Sequence, residues 1–297
     1  MLKTRLDDLY AGFDHPESAR DPIQIVRRFH RLEDREIVAF VAAGLAFGRV
    51  ASVMASIEAV CRVLGPEPAQ VVREFDPRVH GAALRPLVHR WTKGEDFVAL
   101  LWILRRLLEA HGSLENAFAA GLDPGAVDVE AALDRFSAGA RAIDLRPAYG
   151  RVPRAPGVHY FFVRPSTGAA CKRLNLFLRW MVRRDGVDPG GWTAVRAAQL
   201  IVPLDTHTIR IGRCLRLTRR KSPGWRMAVD ITTALRKIDP DDPVRYDFSL
   251  CHLSMMGGCG YGTRQGHTQC PLKEHCHPTN HNTKLAKNPR SSRRAHN

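Results

Sequence analysis

No stretch of the 297 residues comes near the roughly twenty consecutive apolar residues that a membrane-spanning helix needs. The charged opening Met1-Leu2-Lys3-Thr4-Arg5-Leu6-Asp7-Asp8 has no apolar core of the kind a secretion signal carries, so a cytoplasmic location, close to the nucleoid, is expected. Seven cysteines in a cytoplasmic chain do not make a disulfide framework, which leaves metal ligation as the use of any cluster among them. No segment alternates apolar and polar residues as a half-buried strand would, and there is neither an internal repeat nor a low-complexity tract. Acidic residues are in deficit, 30 Asp and Glu against 45 Lys and Arg, for a formal charge of +15. A small neutral substrate as sole partner does not account for that excess. A polyanion does, because each phosphate neutralised by Lys or Arg releases counterions; the competing source is an arginine-rich composition with no partner behind it.

With 44% hydrophobic residues, the chain can bury the core of one large or two modest domains. Leu2 to Phe29 reads as short helices around a loop carrying Pro16 and Pro22, a wrapping arm rather than a domain. Apolar residues at helical spacing predict helices over Arg35 to Ala43 and Val50 to Leu64, joined through residues 44–49. Asp96 to Ala110 is an amphipathic helix, with Trp91 and Trp102 expected in the core, and Ser113 to Ala142 supplies one or two more. Residues 141–166 form a proline-rich connector that mixes Arg146, Arg151, Arg154 and Arg164 with Tyr149, Tyr160, Phe161 and Phe162. Such a mixture suits a surface that meets phosphates and stacks an unpaired base; a packed loop with its rings turned inward is the alternative. The expected fold class is all-α.

Two residues stand out for chemistry. Lys172 follows the turn-prone Pro165-Ser166-Thr167-Gly168 and opens an apolar series, Leu174, Phe177, Leu178, Met181 and Val182, at helical spacing. It reads either as a snorkelling surface lysine or, since the positive end of a helix opposes a second positive charge, as a nucleophilic amine. Ala194 to Val202 reads as a short helix closed by Pro203, and Asp205 then precedes Ile209, Ile211 and Leu215, as an N-cap does; a cap carboxylate can also face a cleft. His207, two residues on, reads as part of the helix start, with contact to DNA backbone as the alternative. Lys172, Arg179 and Arg183 fall on one helical face, and Arg173, Arg210 and Arg213 add charge nearby, so part of the basic excess forms a stripe suited to nucleic acid.

The pairing of a lysine at a helix start with Pro203-Leu204-Asp205-Thr206-His207 about thirty residues later resembles the helix-hairpin-helix DNA glycosylase superfamily. The long interval is nearest to the archaeal 8-oxoguanine glycosylases, and the chain as a whole resembles a bacterial family related to them, of unassigned function. The resemblance covers Asp34 to Cys276. The superfamily's Leu-Pro-Gly-Val-Gly hairpin is missing, its place taken by Thr167-Gly168-Ala169-Ala170-Cys171. By this resemblance residues 1–276 form a two-lobed helical fold, and Phe47 and Arg49 at the junction of the first long helices contact DNA; the basic connector and stripe add Arg164, Arg173, Arg179 and Arg210 as expected DNA contacts, with DNA-backbone contact the alternative role of His207. Lys172 is the nucleophile and Asp205 its partner. The partner molecule is double-stranded DNA carrying a damaged base, bound by a monomer, and the activity is excision of an oxidised purine, 8-oxoguanine, coupled to strand cleavage through a Schiff base. A non-catalytic nucleic-acid-binding protein on the same scaffold is the alternative, and a metal-dependent enzyme a third.

Cys251, Cys259, Cys270 and Cys276 close the folded part, with His267 three residues before Cys270. The Gly257-Gly258-Cys259 and Cys270-Pro271-Leu272 segments resemble the iron-sulfur tail of the endonuclease III branch, in which the final five-residue interval recurs. That resemblance implies a metal loop over residues 251–276 holding a 4Fe-4S cluster or structural zinc, ligated by the four thiolates or by three thiolates with His267. Cys251 is preferred over His267, because the Gly257-Gly258 bend can return it to Cys259. Reduced, unliganded thiols are the other reading. Residues 277–297 are polar and basic, a tail expected to be disordered.

Overall fold

The computed structural model describes residues 1–17, 20–259 and 270–277, and among these every regular element is helical. The arm supplies α1 (Leu2–Ala11) and α2 (Ile23–Val26); the two long helices that follow are α3 (Leu32–Leu45) and α4 (Val50–Leu64). Next come α5 (Pro68–Arg73), α6 (Pro77–His80), α7 (Gly94–His111), α8 (Leu114–Ala119), α9 (Glu130–Ala142) and α10 (Arg146–Tyr149). The chain ends on α11 (Lys172–Val182), α12 (Thr206–Cys214), α13 (Trp225–Arg236) and α14 (Asp247–Met255). Pairing of the β type is limited to isolated bridges, His89 with Thr92 and Arg184 with Pro189. The all-α class is therefore observed, and no helix among the described residues is long and apolar enough to cross a membrane. His267 and residues 278–297 lie outside the described residues.

The centre of the molecule is α3. Ile37 to Ala43 and Leu45 are all buried, so this helix is apolar on every side and can be stable only when surrounded. Its first turn is acidic, with Glu33 and Asp34, which suits the positive end of the helix dipole, and the buried carboxylates of Asp34 and Glu36 have other work. Asp34 accepts from Ala69 N at 2.9 Å, and Glu36 from Trp192 Nε1 at 2.7 Å and from Leu114 N at 3.2 Å, tying the starts of α5 and α8 to the core. α11 and α2 both pack against α3. Gly44 near the C-terminus of α3 permits one close approach: a Cβ there would lie 2.5 Å from Cδ1 of Phe161. The arm wraps as expected, with Leu6 of α1 fully buried and Tyr246 donating to Asp7 across 2.6 Å.

Three expectations fail for physical reasons. Residues 194–202 are not an α-helix; only Ala197–Gln199 forms a 3-10 turn, and Leu200 to Val202 run extended and buried. Val202 N donates to Thr232 Oγ1 at 3.0 Å instead of to a carbonyl four residues back, so the segment is held by α13. Trp91 is not core: the tight His89–Thr92 turn, with Arg90 at φ 55°, leaves it half exposed. Arg179 and Arg183 do not form an outward stripe with Lys172, since they are 3% and 4% exposed. Arg179 reaches Asp188 at 3.0 Å and Asp247 at 2.7 Å, while Arg183 reaches Asp185, Asp188 and Asp242. Charges survive burial when paired in this way, so Arg179 has no free face for a phosphate.

Candidate active site

Four segments converge on a cavity of about 440 Å³. These are the α3–α4 junction, one side of α11 from Lys172 to Trp180, the Pro203–Thr208 approach to α12, and α14; Asp21 and Pro22 of the arm close one side. Lys172 is the first residue of α11, turned into place by Cys171, which sits in the left-handed region at φ 50°. Its Nζ donates to Ala46 O at 3.3 Å, a carbonyl left free where α3 ends, and lies 3.4 Å from Asp205 Oδ2. Both side chains keep an opening to solvent, at 32% and 17% exposure.

The two oxygens of Asp205 divide their work. Oδ1 accepts from His207 N at 2.9 Å and Thr208 N at 2.8 Å, the N-cap of α12. Oδ2 turns to Lys172 and accepts from the Cys251 thiol at 3.6 Å. Burial pushes the Asp205 pKa up, but Lys172 and the two backbone donors outweigh it and hold the group below its ordinary value. Burial raises the Cys251 pKa well above that of a free thiol, with the Asp205 charge adding to it, so Cys251 stays protonated and donates. The expected cap role is observed, and the cap carboxylate also faces the cleft. A lysine amine beside an ionised carboxylate at the mouth of a cavity can attack an electrophilic carbon while the carboxylate takes its proton.

The expected contact residues divide into two groups. Phe47 lines the cavity and begins an aromatic shelf: its ring stacks on Trp91 at 4.5 Å, and Trp91 in turn meets Tyr160 at 5.9 Å. The Arg173 guanidinium lies over Phe47 at 5.5 Å and Tyr160 at 5.8 Å, and burial pulls its pKa down to about 10. Arg49 and Arg210 are exposed; Arg49 stands between Gly48 and Val50, which line the cavity, and Arg210 two residues after Thr208, which does too. His207 lines the cavity with Nδ1 3.1 Å from Ser254 Oγ. Arg164 is half exposed but committed to Asp134 at 2.5 Å, and Arg179 is buried as described. Sequence reasoning missed the outward face of Trp91, and Asp21, Trp180, Asp247 and His252 as cavity residues. A lone His and a lone Trp in apolar helices carry no signal that separates them from core.

The four-cysteine set is not brought together. Cys251 stands in the cavity beside Asp205, and Cys276 is disulfide-bonded to Cys214. Cys259 and Cys270 are near neighbours: burial raises the Cys270 pKa and Cys259 adds to it. Among the described residues there is no group of three or more His, Cys, Asp or Glu side chains able to hold a metal ion, so these residues do not fit a cluster as arranged.

Fold and site together define an all-helical protein with a lysine–carboxylate pair at the mouth of a cavity. A family profile described as "Protein of unknown function (DUF2400)" matches residues 21–256, and the chain belongs to that family. No curated protein matches the chain, and no solved structure does.

Proposed function

We propose that the protein is a base-excision DNA glycosylase with strand-cleaving lyase activity on an oxidised purine, built on a helix-hairpin-helix type of scaffold. The observation that carries this reading is the 3.4 Å approach of Lys172 Nζ to Asp205 Oδ2 at the mouth of a cavity large enough for a nucleoside. A damaged nucleotide must leave the stack before its C1′ is reachable, and a cavity beside the amine is what receives it. Asp205 takes a proton from the Lys172 ammonium. The amine's electron pair then forms a bond to C1′ as the C1′–N9 bond breaks, that bond's pair leaving with the base, which receives the proton held by Asp205 and so restores the carboxylate. A proton then passes from the C1′-bound nitrogen to O4′ as the C1′–O4′ bond opens, giving the protonated Schiff base, whose positive charge the restored carboxylate offsets. The aromatic shelf and the exposed Arg49 and Arg210 support a DNA-facing side around the mouth.

The test is borohydride trapping on a duplex with one abasic site or one 8-oxoguanine. A covalent complex that disappears in Lys172→Gln is expected. Binding without trapping in the wild type would leave a non-catalytic DNA-binding protein.

A further inference from the structure

Arginines that hold this fold together are paired, as Arg179 and Arg183 are with buried carboxylates. The segment joining α12 to α13 departs from that pattern. From Thr206 to Val229 the chain carries seven Lys and Arg and no Asp or Glu. Two of the seven brace the segment: the Arg213 guanidinium donates to Lys221 O, and Arg220 meets Asp230 Oδ2 at 2.8 Å, an oxygen that also accepts from Thr218 Oγ1. By contrast Arg216, Arg219, Lys221 and Arg226 are exposed, and their side chains have no hydrogen-bond or ion-pair partner among the described residues.

Arg216 stands where the local rule asks for something else. α12 ends in a Schellman stop, with Leu217 N donating to Gly212 O at 2.7 Å and Arg216 N to Arg213 O at 3.1 Å. The residue between is left-handed, at φ 55°, a position usually given to glycine. An arginine placed there with no partner in the fold points to a partner outside it. The far end of the segment is fixed beside the candidate site. Trp225 N donates to Gly168 O at 2.9 Å, and a Cβ on Gly224 would lie 2.8 Å from that oxygen. The segment therefore packs on the exposed turn at 166–168 that leads into Lys172, while its near end continues the helix that Asp205 caps.

The chemistry of the surface selects its occupant. Between Tyr160 and Met255 no large apolar side chain is exposed among the described residues, whereas a bilayer or a protein partner needs such anchors. Trp225, the only Phe, Tyr or Trp from Thr206 to Val229, is buried, so an unpaired base finds no ring to stack on. What remains is cationic and mostly guanidinium, whose planar fork matches phosphate. A duplex presents one phosphate charge per roughly 1.7 Å of its axis, about twice the density of a single strand, and each one neutralised releases counterions.

We infer that the α12–α13 segment is a backbone-binding surface for undamaged duplex DNA, on which Arg216, Arg219, Lys221 and Arg226 neutralise phosphates without reading bases. This needs no lesion and does not rest on the Lys172 chemistry. Duplex held there lies beside the helices that carry Lys172 and Asp205.

The experiment measures the affinity of the full chain for a short lesion-free duplex by fluorescence anisotropy at several salt concentrations. Replacing Arg216, Arg219 and Lys221 together by Gln should weaken binding about tenfold or more near physiological salt and make the slope of log K against log salt shallower by about 2–3, close to 0.9 per lost contact. Arg219→Gln alone, which touches neither the helix stop nor a bracing bond, should account for about one unit of that slope. The control replaces Arg62, Arg78 and Lys237 by Gln, which removes the same charge from exposed positions on other elements, and should bind within about twofold of the wild type. Equal losses in the two triple variants would assign the effect to net charge and overturn the inference. So would unchanged binding in the Arg216, Arg219 and Lys221 variant, an equal slope change on a single strand of the same length, or a wild type that does not bind lesion-free duplex. Failure of borohydride trapping overturns the glycosylase reading and leaves this surface standing.

Discussion

Replacing Asp205 by Asn separates the two jobs of one side chain. An Asn Oδ1 can still accept from His207 N and Thr208 N, so the α12 cap survives, whereas the amide nitrogen that replaces Oδ2 carries no charge towards Lys172. At 3.4 Å the attraction between Lys172 and Asp205 is about 5 kcal/mol in a medium of effective dielectric near 20, most of it offset by the desolvation of two largely buried groups. The ground state therefore changes little. A positive charge created in the transition state has no such offset, since the carboxylate is already desolvated and oriented before reaction. Loss of one preorganised electrostatic group of this kind costs about 2.7–4 kcal/mol in the barrier, or roughly two to three orders of magnitude in rate. The assay is single-turnover trapping and strand cleavage on an abasic duplex, with thermal melting followed by circular dichroism. Asp205→Asn should melt within a few degrees of the wild type and react about a hundredfold or more slower. Asp205→Ala should be as slow and lose a further ~1 kcal/mol of stability with the cap. An Asn variant that reacts at full rate would refute the electrostatic role. One destabilised as much as the Ala variant would refute the division of labour between the two oxygens.

Lys172→Gln should lose covalent trapping entirely and keep duplex affinity within a few-fold, as an electrophoretic shift would show; residual trapping would identify another nucleophile. Arg179→Met strands the buried carboxylate of Asp247, leaves Asp188 to Arg183 alone, and should lower stability by at least about 3 kcal/mol in urea unfolding, with no separate loss of DNA affinity once folded. Hydrogen bonding from Arg164 holds the Asp134 pKa at about 2, below the ordinary aspartate value of 3.8, so the pair's contribution is complete above pH ~4 and is lost as pH falls towards 2; melting of Asp134→Asn should show a flatter acid limb. Cys251→Ser should leave the metal content of anaerobically purified protein unchanged while altering the trapping rate, and loss of metal instead would place Cys251 in a ligand set.

How much of this was legible depended on whether the deciding partners were near in sequence. The Asp205 cap was readable because its acceptors' partners, His207 N and Thr208 N, lie two and three residues on. Lys172 was readable as a helix opener for the same local reason. That the two meet at 3.4 Å is a property of how the start of α11 faces the start of α12, and spacing alone could not supply it; the family resemblance did. Arg179 shows the converse. Its position four residues before Arg183 gives the same stripe whether the face meets solvent or acids, and the acids that decided it include Asp242 and Asp247, about sixty residues away. Trp91 reads as core on its apolarity, yet a four-residue turn needs somewhere to put its ring, and stacking on Phe47 at 4.5 Å supplies a place that is only half covered.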